Sequence, residues 1–112
     1  MSKQLSISVI SDSLNAIKTY KHCKEENENM HQARVIISSN NGQILYNEIM
    51  KVIACIATNE AYVELIGNAA FDEKYYGKYS NIYQKFSYEN NILSIQGQDR
   101  NGNQITINIM SI

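Results

Sequence analysis

The chain has 112 residues and contains no proline and no tryptophan, with only two cysteines and five glycines. It has no excess of either charge, at 10 basic against 11 acidic residues. Each shortage excludes something. Cys23 and Cys55 are too few for a disulfide scaffold and would stay reduced in a cytosol. A net charge of −1 and a pI near 6.1 argue against a general binder of nucleic acid or membrane surfaces, which carries a basic excess. No apolar run approaches the ~18–20 residues that cross a bilayer. The opening MSKQLSISVIS lacks the basic, apolar and small-residue succession of a secretion signal, so a cytoplasmic location without a membrane partner is expected. A charged fraction of 19% beside 44% hydrophobic is too low for a disordered chain and enough for a core. There is no repeat, linker or composition break, so residues 1–112 are expected to form a single domain.

What is abundant is isoleucine, with 17 residues, and asparagine, with 14. Both have A/T-rich codons, as do lysine and tyrosine, so low-GC coding is the plain explanation. A bacterial or phage accessory gene is the sharper one. Isoleucine suits strand faces, and asparagine suits caps and turns.

Leu5 to Ile10 alternates as a strand, and Ser11-Asp12-Ser13 offers N-cap acceptors for a helix carrying Leu14, Ala16, Ile17 and Tyr20. That helix should fail within Glu25–Asn29. Ala33 to Ser38 reads as a strand, Asn40-Asn41-Gly42 as a type I′ turn, and Gln43 to Tyr46 as a short return strand. Ile49, Met50, Val52, Ile53, Ile56 and Ala57 recur at helical spacing, with Asn47 as N-cap and Asn59 as stop, which predicts a second helix. Ala61 to Ile66 alternates as a strand, and residues 68–80 hold at most one short helical turn. Strands over 82–88, Ile92–Gln98 and Gln104–Met110, joined at Asn90-Asn91 and Asp99–Asn103, form an antiparallel meander with one wet face. The predicted class is therefore α+β. Two helices pack on one face of a largely antiparallel sheet, in the order β-α-β-β-α-β followed by a three-stranded C-terminal meander.

Catalytic signatures are scarce. His22 and Cys23 are sequence neighbours that diverge by about 100° on a helix, a poor nucleophile–base pair. His31 could fold back on Cys23 beside Glu25, Glu26 or Glu28, but a solvated helix end explains the same residues. As zinc ligands, His22, Cys23 and His31 lack the close pairs that such sites use. The glycines are isolated, with no phosphate-cradling pattern. No catalytic residue, metal or cofactor is therefore assigned, and the expectation is a protein that is not an enzyme.

Glu60 and Glu64 flank Tyr62 at alternate positions of one strand, so all three should share a face. The segment FDEKYYGKYSNIYQKFSY, residues 71–88, gathers five of the eight tyrosines with three lysines. Tyrosine gives contact area and a hydroxyl tip at low entropic cost, which suits protein interfaces. Interleaved with lysine it can also stack on single-stranded nucleic acid. The plain alternative is an aromatic cover over one end of the sheet.

The stretch EIMKVIACIATNEAYVELIGN, Glu48–Asn68, with the order of the first six elements, resembles the helix-then-strand segment of the histidine phosphocarrier family. That family carries its phosphorylated histidine just after the first strand, where this chain has Ser11-Asp12-Ser13. The resemblance implies a shared architecture and transfers no active site.

The function expected from the sequence is a small protein-binding module, most concretely a bacterial immunity protein. It would neutralise a toxin, a nuclease above all, by occluding its active cleft. The expected contacts are Glu60, Tyr62, Glu64, Asp72, Glu73, Tyr75, Tyr76, Tyr79 and Tyr83. A small enzyme or ligand carrier built from scattered Tyr, His and Glu side chains is the first alternative. A single-stranded nucleic-acid binder is the second, disfavoured by the charge balance and by having only two arginines.

Overall fold

The computed structural model describes residues 7–9, 31–56, 61–80, 86–110 and 112. Their chain order is β1 (Ile7–Val9), β2 (His31–Ser39), β3 (Ile44–Ile56), β4 (Ala61–Ile66), α1 (Ala69–Lys74), β5 (Lys78–Ser80), β6 (Phe86–Glu89), β7 (Ile92–Gln98) and β8 (Gln104–Met110). The strands form one sheet in the spatial order β5-β4-β3-β2-β8-β7-β6, and β1 pairs with β3 off this path. Every pairing among the described residues is antiparallel except β1 with β3, where Ile7 faces Ala54.

This corrects the α+β class with two helices on one face of a sheet. Residues predicted as the second helix, 47–59, instead continue the return strand to Ile56, so β3 runs for 13 residues. The helix-then-strand likeness to the phosphocarrier family falls with it, since 48–68 holds the greater part of β3, then β4. The first predicted helix lies outside the described residues, as do Glu25–Asn29 and residues 81–85. The one described helix, α1, has six residues and corresponds to the short turn expected within 68–80.

The physical reason for the error is burial on both sides. Met50, Val52 and Ala54 point into the main core, while Ile53, between them, is 2% exposed on the opposite face. A strand covered on both faces loses its alternation and reads as a continuous apolar run, which spacing alone cannot separate from a helix. The β-branched Ile44, Ile49, Val52, Ile53 and Ile56 favour the extended form. β3 is also the strand with most partners. It pairs with β2 from Ile44 to Val52, with β4 from Lys51 to Ile56, and with β1 from Ala54 to Ile56.

The core is a row of alternate side chains across the sheet: Ala33, Val35 and Ile37 of β2, Val63 and Leu65 of β4, Leu93 and Ile95 of β7, and Ile105, Ile107 and Ile109 of β8. Phe71 and Tyr75 close one end of it, with Tyr46 packed alongside. The Tyr46 and Phe71 rings meet edge-on at 5.0 Å, and Phe71 and Tyr75 lie 5.0 Å apart, within the favourable range for aromatic pairs. Burial raises the Tyr46 hydroxyl above the usual tyrosine range, with Glu48 adding to it. Burial raises Tyr75 in the same way, with Asp99 and Tyr46 adding to it.

Asparagine sets the turns, though not as predicted. The type I′ turn falls at Asn90-Asn91, where φ is +54° and +64° and Glu89 pairs directly with Ile92. The β2–β3 turn, predicted as type I′, keeps only Gly42 at positive φ, +90°. There Gly42 N–H donates to Ser39 O at 2.9 Å and Ser39 N–H to Gln43 O at 2.8 Å. This is a type I turn ending on a left-handed glycine, the longer hairpin solution. The β7–β8 turn repeats it with Gly102 at +83°, Gly102 N–H to Asp99 O at 3.1 Å and Asp99 N–H to Asn103 O at 3.0 Å.

Candidate functional site

α1 is held by its neighbours at both ends. Asn68 caps it by accepting the Phe71 N–H at 2.9 Å, one of the otherwise orphaned donors of a helix start. Gly67 is required just before the cap. A Cβ there would lie 2.5 Å from the Phe71 ring, inside any real contact.

The last turn of α1 is clasped by the β7–β8 tip. Arg100 N–H donates to Lys74 O at 3.0 Å, and Arg100 Nε donates to Asp72 O at 2.5 Å and to Tyr75 O at 3.2 Å. A cation is well placed at the carbonyl end of a helix. The Arg100 guanidinium also lies 4.7 Å from the Tyr76 ring centroid, within cation–π range. The tip is itself ordered by Asp99. Its carboxylate accepts the Asn101 and Asn103 backbone N–H groups at 2.9 Å each, and the Asn103 side-chain amide at 3.1 Å. These bonds, led by the Asn103 N–H, hold the Asp99 carboxyl below the usual carboxylate range.

Between the end of β4, α1 and this clasp lies an open cleft of about 490 Å³, lined by Glu64, Ile66, Asp72, Tyr76, Gly77 and Arg100 among others. Ile66 is 36% exposed and Tyr76 41% exposed, both large for side chains with so much apolar surface. Glu64 is half-buried and accepts the Tyr62 hydroxyl at 3.2 Å. The cleft thus pairs an aromatic and an aliphatic contact surface with two carboxylates. Its one arginine already spends its Nε on backbone carbonyls.

The structure brings together three of the predicted contacts, Glu64, Asp72 and Tyr76, although they come from different elements. Glu73 is exposed on α1 nearby. Tyr75 is 3% exposed and belongs to the core, and Tyr62 is 5% exposed, so neither ring is offered to a partner. These are the placements the structure gives the two rings. They follow from the pleat: Tyr75 turns towards Phe71, and Tyr62 lies on the same buried side of the sheet as Ile53. Glu60 and Tyr83 lie outside the described residues, as do His22, Cys23 and the side chains of His31 and Tyr79. Sequence reasoning missed Ile66 and Arg100. Ile66 looked like the end of an ordinary strand. Arg100 looked like a turn residue, though an arginine at a hairpin tip in a chain with two arginines is itself a signal.

Among the described residues no three His, Cys, Asp or Glu side chains gather to hold a metal. No described helix is long and apolar enough to cross a membrane. No protein family, curated protein or solved structure matches the chain.

Proposed function

We propose that the chain is a small protein-binding module that works without chemistry of its own, and that the cleft beside α1 is its contact surface. The carrying observation is the meeting of exposed Tyr76 and Ile66 with the Glu64 and Asp72 carboxylates in one open cleft. Tyrosine anchors ringed by polar groups are the usual composition of binding hot spots. Flanking carboxylates steer and select a basic partner. The concrete form of this reading is an immunity-type inhibitor in a bacterial cytoplasm that covers the basic cleft of a toxin nuclease. The AT-rich residue usage supports that setting, and the acidic, aromatic character of the cleft supports that partner.

The test is affinity capture from the native host with the wild-type chain and with Tyr76→Ala/Ile66→Ala. Recovery of a basic nuclease by the wild type, with the double variant weakened by about 2 kcal/mol or roughly 30-fold in Kd, supports the reading. Equal capture by both proteins contradicts the site, and no captured protein contradicts the function.

A further inference from the structure

The two hairpin tips that end on a left-handed glycine carry the same dipeptide, Asn41-Gly42 and Asn101-Gly102. Their backbones match, since each glycine N–H donates to a carbonyl three residues back and each tip is exposed. A Cβ at Gly42 or Gly102 would meet nothing within 4 Å, so the space beside both glycines is open. The side chains differ. Asn41 Oδ1 accepts the Gln43 N–H at 3.2 Å and also the Ser39 hydroxyl. In the second tip the ordering role passes to the Asp99 carboxylate, which takes the Asn101 and Asn103 N–H groups. Among the described residues the Asn101 side-chain amide makes no hydrogen bond.

We propose that Asn101 is a self-modification site, undergoing deamidation in the native protein well ahead of Asn41. The Gly102 nitrogen gives up its proton to solvent base and attacks Cγ of Asn101. The new N–Cγ bond closes a five-membered imide as the Cγ–Nδ2 bond breaks, and the amide nitrogen leaves as ammonia carrying the proton. Water then adds to either imide carbonyl and opens the ring to aspartate or isoaspartate, with no change of oxidation state. The reaction requires the Asn side chain to swing its carbonyl carbon over the next nitrogen. At both tips the glycine N–H must leave its carbonyl three residues back; at Asn41 two side-chain hydrogen bonds must break as well, whereas at Asn101 no side-chain bond must. The Asp99 carboxylate opposes the reaction by disfavouring negative charge at the Gly102 nitrogen and by taking a bond from its N–H. Both effects act at an exposed turn, where water and salt weaken them, while Asn41 is held at the side chain that must itself swing.

The product falls on the clasp. Isoaspartate inserts the side-chain methylene into the backbone between residues 101 and 102, inside the turn that Asp99 orders and next to Arg100. Lengthening that loop pulls Arg100 from the Asp72, Lys74 and Tyr75 carbonyls and opens one wall of the cleft.

The experiment ages the native protein in mildly alkaline buffer and follows both peptides by mass, with isoaspartate scored by its specific methylation. A parallel sample is held unfolded in urea. Conversion at Asn101 several-fold faster than at Asn41 in the native protein, with the two alike in urea and the Asn101 signal abolished in Asn101→Gln, is the expected result. Equal native rates, or faster conversion at Asn41, overturn the proposal. So does an Asn101 that stays intact while the urea sample converts. Because the readout is mass, the outcome does not depend on whether the cleft binds a partner.

Discussion

The C-terminal hairpin β7–β8 and the central strand β3 are built from the same residue types yet differ in how plainly they declare themselves. In β8, buried Ile105, Ile107 and Ile109 alternate with the half-exposed Thr106 and Asn108, and the pattern names the strand and its inward face at once. In β3 the consecutive residues Val52, Ile53 and Ala54 are all buried, and the period disappears. A strand with one wet face carries its geometry in its sequence. A strand covered on both faces carries only its hydrophobicity.

The sharpest way to break that comparison is to truncate Ile53. If the second face of β3 is truly buried, Ile53→Ala costs about 2–5 kcal/mol in urea unfolding, as much as Ile107→Ala on β8. The exposed Gln96→Ala on β7 stays within about 0.5 kcal/mol. A near-neutral Ile53→Ala would return β3 to the one-faced type.

A somewhat smaller effect is expected at the joint between β4 and α1. Gly67→Ala drives a methyl into the Phe71 ring and costs roughly 1–3 kcal/mol, as overpacking does. Smaller again is Arg100→Ala, which frees the end of α1 and removes the partner of the Tyr76 ring, at roughly 0.5–1.5 kcal/mol. That variant should also speed amide exchange in α1 while leaving β2 and β3 protected.

The smallest effect is a pH dependence of the β7–β8 turn. Asp99 has a folded pKa below its unfolded value, so its contribution is present above the unfolded carboxylate range and is lost as pH falls through the folded value. Asp99→Asn should flatten the acid limb of the stability curve at this turn, read by chemical shifts of Asn101 and Asn103. The buried tyrosines act in the opposite window. Tyr46 and Tyr75 have raised values, so their contribution is intact below the ordinary tyrosine range and fails as alkaline pH passes the folded value.

Legibility followed physical cause. The strands over 92–98 and 104–110 were readable because one face is wet, and Asn90-Asn91 because two positive-φ residues in a row leave few alternatives to a turn. The turn at Asn41 misled because Asn-Gly suits both a two-residue type I′ loop and a longer loop ending on glycine. Only the pairing of Ser38 with Ile44 separates them. At the cleft, Glu64, Asp72 and Tyr76 were readable as exposed polar and aromatic side chains. Tyr75 was not separable from Tyr76, because adjacent residues after a six-residue helix point to opposite sides. Arg100 could not be placed at all, since its role depends on a contact across 25 residues of chain.

The central claim, that residues 44–56 are one strand paired on both edges, is tested most directly by cross-strand nuclear Overhauser effects. Contacts from Met50 to Ala33 and from Ala54 to Val63 are predicted, with amides of 50–54 among the slowest to exchange. Sequential amide contacts with Hα contacts at three-residue separation through 47–59 would contradict it and restore the helix.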